Sequence, residues 1–147
     1  MLTLRARALG YLSRREHSRK ELQTKLKRHA VEGDDIKALL DSLEQSKLQS
    51  DARYTEARTH AMKYRYGSRR LEHELRSRGI DDTLVAQALK GASGDELARA
   101  KTIWSRRFHG PPADSLERAK QMRFLAGRGF SFEIIRKVLG GSVDLED

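Results

Sequence analysis

The chain repeats itself at an interval of roughly 50 residues, and that periodicity constrains the fold more than any other feature of its sequence. Ser18-Arg19-Lys20 is echoed by Ser68-Arg69-Arg70, Leu22 and Leu26 by Leu71 and Leu75, and Val31 and Leu40 by Ile80 and Leu89, once a one-residue deletion after the serine is allowed. A third copy follows at a similar offset, with Leu125, Gly129-Phe130, Ile135 and Leu139 answering Leu75, Gly79-Ile80, Val85 and Leu89. Apolar residues recur at steps of three and four, as in Ala8, Tyr11 and Leu12, in Leu22 and Leu26, and in Ile36, Leu39, Leu40 and Leu43, which is the spacing of a helix face. No segment alternates with period two, and the only two prolines, Pro111 and Pro112, are adjacent, so nearly the whole chain is free to be helical. The expected fold is all-α: three tandem three-helix repeats over 1–49, 50–93 and 94–141, then an acidic tail over 142–147.

Helix punctuation agrees with this division. Ser18 with Glu21 has the spacing of a capping box, and Ser68 and Asp114 or Ser115 stand at the equivalent starts. Gly79 and Gly129 suit left-handed positions after the second helix of their repeats. Asp34-Asp35, Asp81-Asp82 and Ser131 are placed to begin the third helices, and Gly91 to Gly94 and Gly140-Gly141 to end repeats two and three.

Several classes of function are disfavoured. Cysteine is absent, which excludes disulfides, thiolate metal sites and cysteine nucleophiles and suits a reducing cytosol. The longest apolar runs are a few residues, so neither a membrane span nor a signal peptide is expected and the location is read as cytoplasmic. His17, His29, His60, His73 and His109 are scattered without metal-ligand spacing. Asp34-Asp35 and Asp81-Asp82 are the adjacent carboxylate pairs, and neighbours on a helix point apart, so capping explains them better than acid-base chemistry. Phosphate-cradle motifs are missing too. No enzyme, cofactor or metal is expected.

Charge is the informative property. Lys and Arg number 30 against 21 Asp and Glu, a net charge of +9, which favours acidic or polyanionic partners. From Arg5 to Arg28 nine basic residues face only Glu16 and Glu21, whereas from Glu32 to Glu44 five acids face only Lys37. The same basic bias returns between Arg53 and Arg78 and between Arg99 and Arg128. Positive charge therefore collects on the first two helices of each repeat, and stacked repeats would align it into one strip. Of the aromatic residues, Tyr64-Arg65-Tyr66 and Trp104 with Arg106, Arg107 and Phe108 are candidates for stacking on unpaired bases. Helical spacing puts Tyr54, Ala57, Ala61 and Tyr64 on one stripe and Leu97, Ala100, Trp104 and Phe108 on another, so these are expected in the core, with Tyr66 the exposed exception.

The stretch Arg7-Ala8-Leu9-Gly10-Tyr11-Leu12-Ser13-Arg14-Arg15-Glu16-His17-Ser18-Arg19-Lys20-Glu21-Leu22 resembles the opening motif of the RecX regulators of the RecA recombinase. Asp51-Ala52-Arg53-Tyr54, the run from Gly67 to Ile80, and Arg123-Phe124-Leu125-Ala126-Gly127-Arg128-Gly129-Phe130-Ser131-Phe132 continue the likeness. Lys47 departs from it, standing where the family often carries glycine, and Gln49-Ser50 replaces a more acidic linker. The resemblance implies an elongated, curved molecule and a non-enzymatic protein that binds RecA or the RecA-DNA filament, modulating, chiefly inhibiting, its ATPase, strand-exchange and coprotease activities; the uneven charge and thin core make a monomer the expected state. Arginines and lysines would pair with acidic side chains or phosphates: Arg14, Arg15, Arg19 and Lys20, then Arg65, Arg69 and Arg70, then Arg106, Arg107, Arg128 and Arg136. The alternative is direct DNA binding, with the second helix of a repeat entering a groove, or weak DNA contact alongside RecA.

Overall fold

The computed structural model describes residues 1–140, and within them the chain is helical without strands. Gly141 and the acidic tail lie outside the described residues. The helices fall three by three: α1 (Leu4–Arg14), α2 (Arg19–Lys27) and α3 (Ile36–Gln45); α4 (Asp51–Met62), α5 (Ser68–Ser77) and α6 (Asp82–Ser93); α7 (Glu96–Arg107), α8 (Ser115–Gly127) and α9 (Phe132–Val138). By their contacts the residues group into two compact units, one of 1–58 with 75–85 and the other of 59–74 with 86 onward, so that α4, α5 and α6 each contribute to both. In the first unit Ala8, Leu22, Leu26, Leu40 and Leu43 form the core, edged by Tyr11, Leu12, Ile36 and Leu39. In the second, Ala100, Ile103, Leu125, Phe130, Ile135, Val138 and Leu139 do so, with Leu97, Trp104 and Phe124 packed against them. Burying each such leucine or phenylalanine side chain contributes about 1.5–3 kcal/mol.

The helix ends are set by short side chains. Thr3, Ser18, Asp35, Asp114 and Ser131 each accept a backbone N–H from the first turn of the helix they precede, and Ser18 and Glu21 complete a reciprocal capping box. Asp34 accepts from the Val31 amide and Asp81 from the Leu84 amide, so the paired carboxylates are turn and cap residues. Lys47 ends the α3 region at φ 64°, the left-handed conformation that glycine adopts without strain. Two expectations change. Gly91 lies inside α6, which runs on to Ser93. Val31 is 71 % exposed while its counterpart Ile80 is buried: the Ile80 and Phe130 amides reach back to Leu75 and Leu125 through left-handed Gly79 and Gly129, whereas Ala30 stands at the corresponding place before Val31 and the left-handed turn falls at Gly33 instead.

The repeats are joined by one contact made twice. In the first unit the turn after α5 meets the first turn of α2, where a Cβ on Gly79 would lie 2.8 Å from the Lys20 Cβ. In the second unit the turn after α8 meets the first turn of α5, where a Cβ on Gly129 would lie 2.4 Å from the Arg70 Cβ and 2.7 Å from its backbone nitrogen. The Gly67 and Arg69 amides donate to the Arg128 and Gly129 carbonyls at 2.8 and 3.0 Å. An acid from the start of the following repeat completes each joint: Asp51 accepts the Arg19 amide, and Glu96 accepts both the Ser68 amide and its hydroxyl. Each is a carboxylate at a helix N-terminus, where the exposed amides and the helix dipole favour negative charge. Gly129→Ala, which combines a left-handed backbone with a backbone clash, is expected to cost at least about 2 kcal/mol in urea unfolding. Gly91→Ala, in the open interior of α6, is expected to gain about 0.5–1 kcal/mol; a neutral Gly129→Ala would show that the joint does not need the close approach.

Candidate functional site

The joint in the second unit also builds a cleft. Helix α4 stops at Met62, and the chain from Lys63 to Gly67 turns across the end of α7 and the end of α8 before α5 begins. The cleft between them is open to solvent and has a volume of about 470 Å³. Tyr64, Arg65 and Tyr66 supply one side, Ile103, Arg106 and Arg107 from α7 another, and Phe124 and Arg128 from α8 the third. Arg128 is half-buried, its guanidinium 5.7 Å from the Tyr66 ring centre and 5.3 Å from that of Phe124, and it donates to the Arg65 carbonyl at 3.2 Å. On the other side of the joint, Arg70 lies 4.3 Å from the Tyr66 ring and donates to the Gly127 carbonyl. Arg107 lies 5.4 Å from Phe108 and 5.8 Å from Phe124, two rings that meet edge to face. Each cation–π contact contributes about 0.5–1 kcal/mol at an exposed site; a guanidinium carries five N–H donors, of which Arg128 and Arg70 each give one to a backbone carbonyl. Among the described residues no carboxylate lines this cleft or pairs with Arg65, Arg106, Arg107 or Arg128.

Four of the residues singled out from the sequence therefore converge, Arg65, Arg106, Arg107 and Arg128, with Arg70 beside them. The two tyrosines exchange their expected places. Tyr64 is 58 % exposed, because α4 has ended before it and the helical register from Tyr54 no longer applies, while Tyr66 is partly buried between Arg70 and Arg128. Arg69 is exposed at the start of α5, and Arg136 rests over Phe132 on α9.

In the first unit the candidates divide. Arg14 is exposed on the last turn of α1, and Lys20 is exposed with its stem against Gly79. Arg15 instead binds both oxygens of Glu21, at 2.9 and 3.2 Å, and Arg19 pairs with Asp41 and Glu44, each at 2.8 Å. These two arginines hold α1, α2 and α3 together. Burial pushes the Glu21 carboxyl up, but the Arg15 guanidinium and the Ser18 amide outweigh it and hold the group below its ordinary range. His17, which sequence reasoning passed over, is buried beside this pair. Its Nδ1 lies 3.1 Å from the Arg15 carbonyl and its Nε2 2.8 Å from the Lys25 ammonium; a carbonyl only accepts and an ammonium only donates, so the ring is neutral with its proton on Nδ1. Desolvation by burial, joined by the charges of Arg15 and Lys25, lowers its pKa. Gln49, also buried, donates to the His17 carbonyl and to Asp51. The spacing Arg15, Glu21 and Gln49 was visible in the sequence, but nothing there marked the three as one network.

Comparison with known proteins places this geometry. The family models for the first, second and third three-helix domains of RecX match residues 5–43, 50–89 and 94–139. The regulatory protein RecX of Ralstonia nicotianae is 47 % identical over 146 residues, covering 99 % of this chain and 92 % of the relative. That of Herminiimonas arsenicoxydans is 45 % identical, covering 99 % and 97 %. The crystal structure of RecX from Lactobacillus salivarius superposes with a TM-score of 0.77 at 26 % identity, covering 97 % of this chain and 95 % of that one. No helix among the described residues is long and apolar enough to cross a membrane.

The buried His17 makes stability depend on pH with a definite sign. Its proton is bound more weakly in the folded chain than in the unfolded one, so the contribution is whole above the unfolded pKa of about 6.5 and declines as pH falls below it. Urea unfolding between about pH 7.5 and about pH 5.5 is expected to show the wild type losing more stability than His17→Gln. Parallel losses would contradict a neutral, buried His17. The Glu21 contribution is lost at lower pH, from its unfolded value of about 4.3 downward.

Proposed function

The chain belongs to the RecX family, and from that membership and the uncompensated arginine cleft we propose that it binds RecA or the RecA-DNA filament and restrains its activities. The relatives are named regulatory proteins, and in this reading the chain performs no catalysis of its own. It acts in the cytoplasm as a monomer, lowering ATP hydrolysis, strand exchange and coprotease function by occupying the recombinase. The observation that carries the reading is the cleft of Arg65, Arg106, Arg107 and Arg128, which has the donors for carboxylates or phosphates and no acid of its own among the described residues. A folded protein supports such uncompensated positive charge more readily where a partner supplies the counter-charge. Arg14, Lys20, Arg69 and Arg136 extend the contact as secondary positions. Arg15 and Arg19 contribute by holding the first repeat in shape.

The groove-reading alternative receives less support. A recognition helix presents its N-terminal residues to base edges; in α2 and α5 the glycine turns at Gly79 and Gly129 pack against one side of the first turn, beside Lys20 and Arg70, and narrow the approach to it. Charge alone favours that mode.

The reading is tested by titrating the protein into RecA on single-stranded DNA and following ATP hydrolysis. Inhibition is expected well below one molecule per RecA protomer, and Arg65→Glu with Arg106→Glu is expected to raise the concentration needed by about tenfold or more, the loss of one to two charge-assisted hydrogen bonds. Arg15→Ala is expected to act through stability instead. Unchanged hydrolysis at every ratio would contradict the reading.

A further inference from the structure

The arginine cleft lies against an exposed tyrosine, and the pairing points to one chemical class of ligand. The Arg107 guanidinium lies 5.4 and 5.8 Å from the ring centres of Phe108 and Phe124, that of Arg128 lies 5.7 and 5.3 Å from those of Tyr66 and Phe124, and Arg128 donates to the Arg65 carbonyl. Arg65 and Arg106 are exposed, and among the described residues they carry neither an ion pair nor a ring contact. Tyr64 is 58 % exposed, with His60 meeting its ring edge to face and the Lys63 ammonium 5.1 Å from the ring centre. The apolar surface of an exposed tyrosine gains nothing from a carboxylate, but it gives an unpaired base a platform. Duplex DNA offers phosphates without an accessible base face. A single strand offers both at neighbouring positions, and about 470 Å³ is within the range of small-ligand clefts.

We propose that this cleft is a subsite for single-stranded nucleic acid, with a phosphodiester held by the Arg65 and Arg106 guanidiniums and an adjacent base stacked on Tyr64. The proposal rests on reading the cleft as a partner surface, and it goes further by assigning the strand, rather than the recombinase, to this part of that surface. In a filament such a contact would anchor the regulator where the strand is exposed.

The test uses the full chain and a fluorescein-labelled oligothymidine of about 20 nucleotides, followed by anisotropy against a duplex of equal length. The single strand is expected to bind more tightly. Tyr64→Ala with Arg106→Ala is expected to weaken binding by about tenfold or more, Tyr64→Phe to retain it, and Lys27→Ala, an exposed charge in the first unit, to leave it within about twofold. The slope of log affinity against log salt is expected to fall by about 0.7 for each arginine removed. Circular dichroism of the variants, all changed at exposed positions, checks that they are folded. The proposal is overturned if the wild type does not bind the strand at low salt, if duplex is preferred, or if Lys27→Ala loses as much as the double variant. Displacement of the strand by polyglutamate at equal charge would assign the cleft to an acidic peptide instead. Capture of RecA without DNA separates the two readings: capture without strand binding defeats this proposal alone, and strand binding without capture defeats the regulatory reading alone.

Discussion

Everything distinctive about this chain depends on glycine at the turn that follows a second helix. There the backbone takes a left-handed conformation, which glycine adopts without strain, and there it comes within van der Waals contact of the preceding second helix, so no Cβ fits at Gly79 or Gly129. A repeat of three short helices buries too little apolar surface to be secure by itself; each gains from its neighbour. At Gly129 the contact brings backbone to backbone, with the Gly67 and Arg69 amides satisfied by the carbonyls of the next repeat's turn, whereas at Gly79 it is made with the Lys20 side chain. Asp51 and Glu96 then bind helix N-termini from the other side. Local geometry, packing and hydrogen bonding all act at the same few residues.

The same joint positions the function. Tyr66 precedes Gly67 and Arg128 precedes Gly129, so the residues that close the contact carry on their flanks the ring and guanidinium that wall the cleft. Arg70 caps the Tyr66 ring from beyond the joint. Stacking fixes these long side chains before a partner arrives, lowering the conformational entropy lost on binding. The two units spend their positive charge differently. In the first, Arg15 and Arg19 neutralise Glu21, Asp41 and Glu44; in the second, Arg65, Arg106, Arg107 and Arg128 have no such acids among the described residues.

What could be read from the sequence was what is local or repeated. Capping serines and aspartates act within one helical turn, the left-handed glycines follow from their place after a helix, and apolar spacing reports a buried face directly. What could not be read depends on the chain returning to itself. The Arg19 to Glu44 pair joins residues of different helices, and the packing of α2 on α3 turns that candidate partner-binding arginine into an internal strut, while the turn from α1 into α2 does the same for Arg15 by bringing it to Glu21. Tyr64 looked buried because a helical register was carried past the end of α4. Gln121 holds a position where the other repeats have Leu22 and Leu71, and its burial makes sense only with its bonds to the Trp104 indole and the Gly110 carbonyl. The basic character of the first two helices was legible as composition; its concentration into one cleft was not.

The central claim is that the turn after α8 and the start of α5 form one cooperative joint that both couples the repeats and shapes the cleft. Native-state hydrogen exchange at the Gly67 and Arg69 amides, set against the Phe130 amide that donates to the Leu125 carbonyl in the core of the second unit, tests it most directly. The account predicts that all three open with the same free energy, because the joint breaks only when the core does. Gly67 and Arg69 exchanging orders of magnitude faster than Phe130 would contradict it and reduce the joint to a loose contact between separately stable parts.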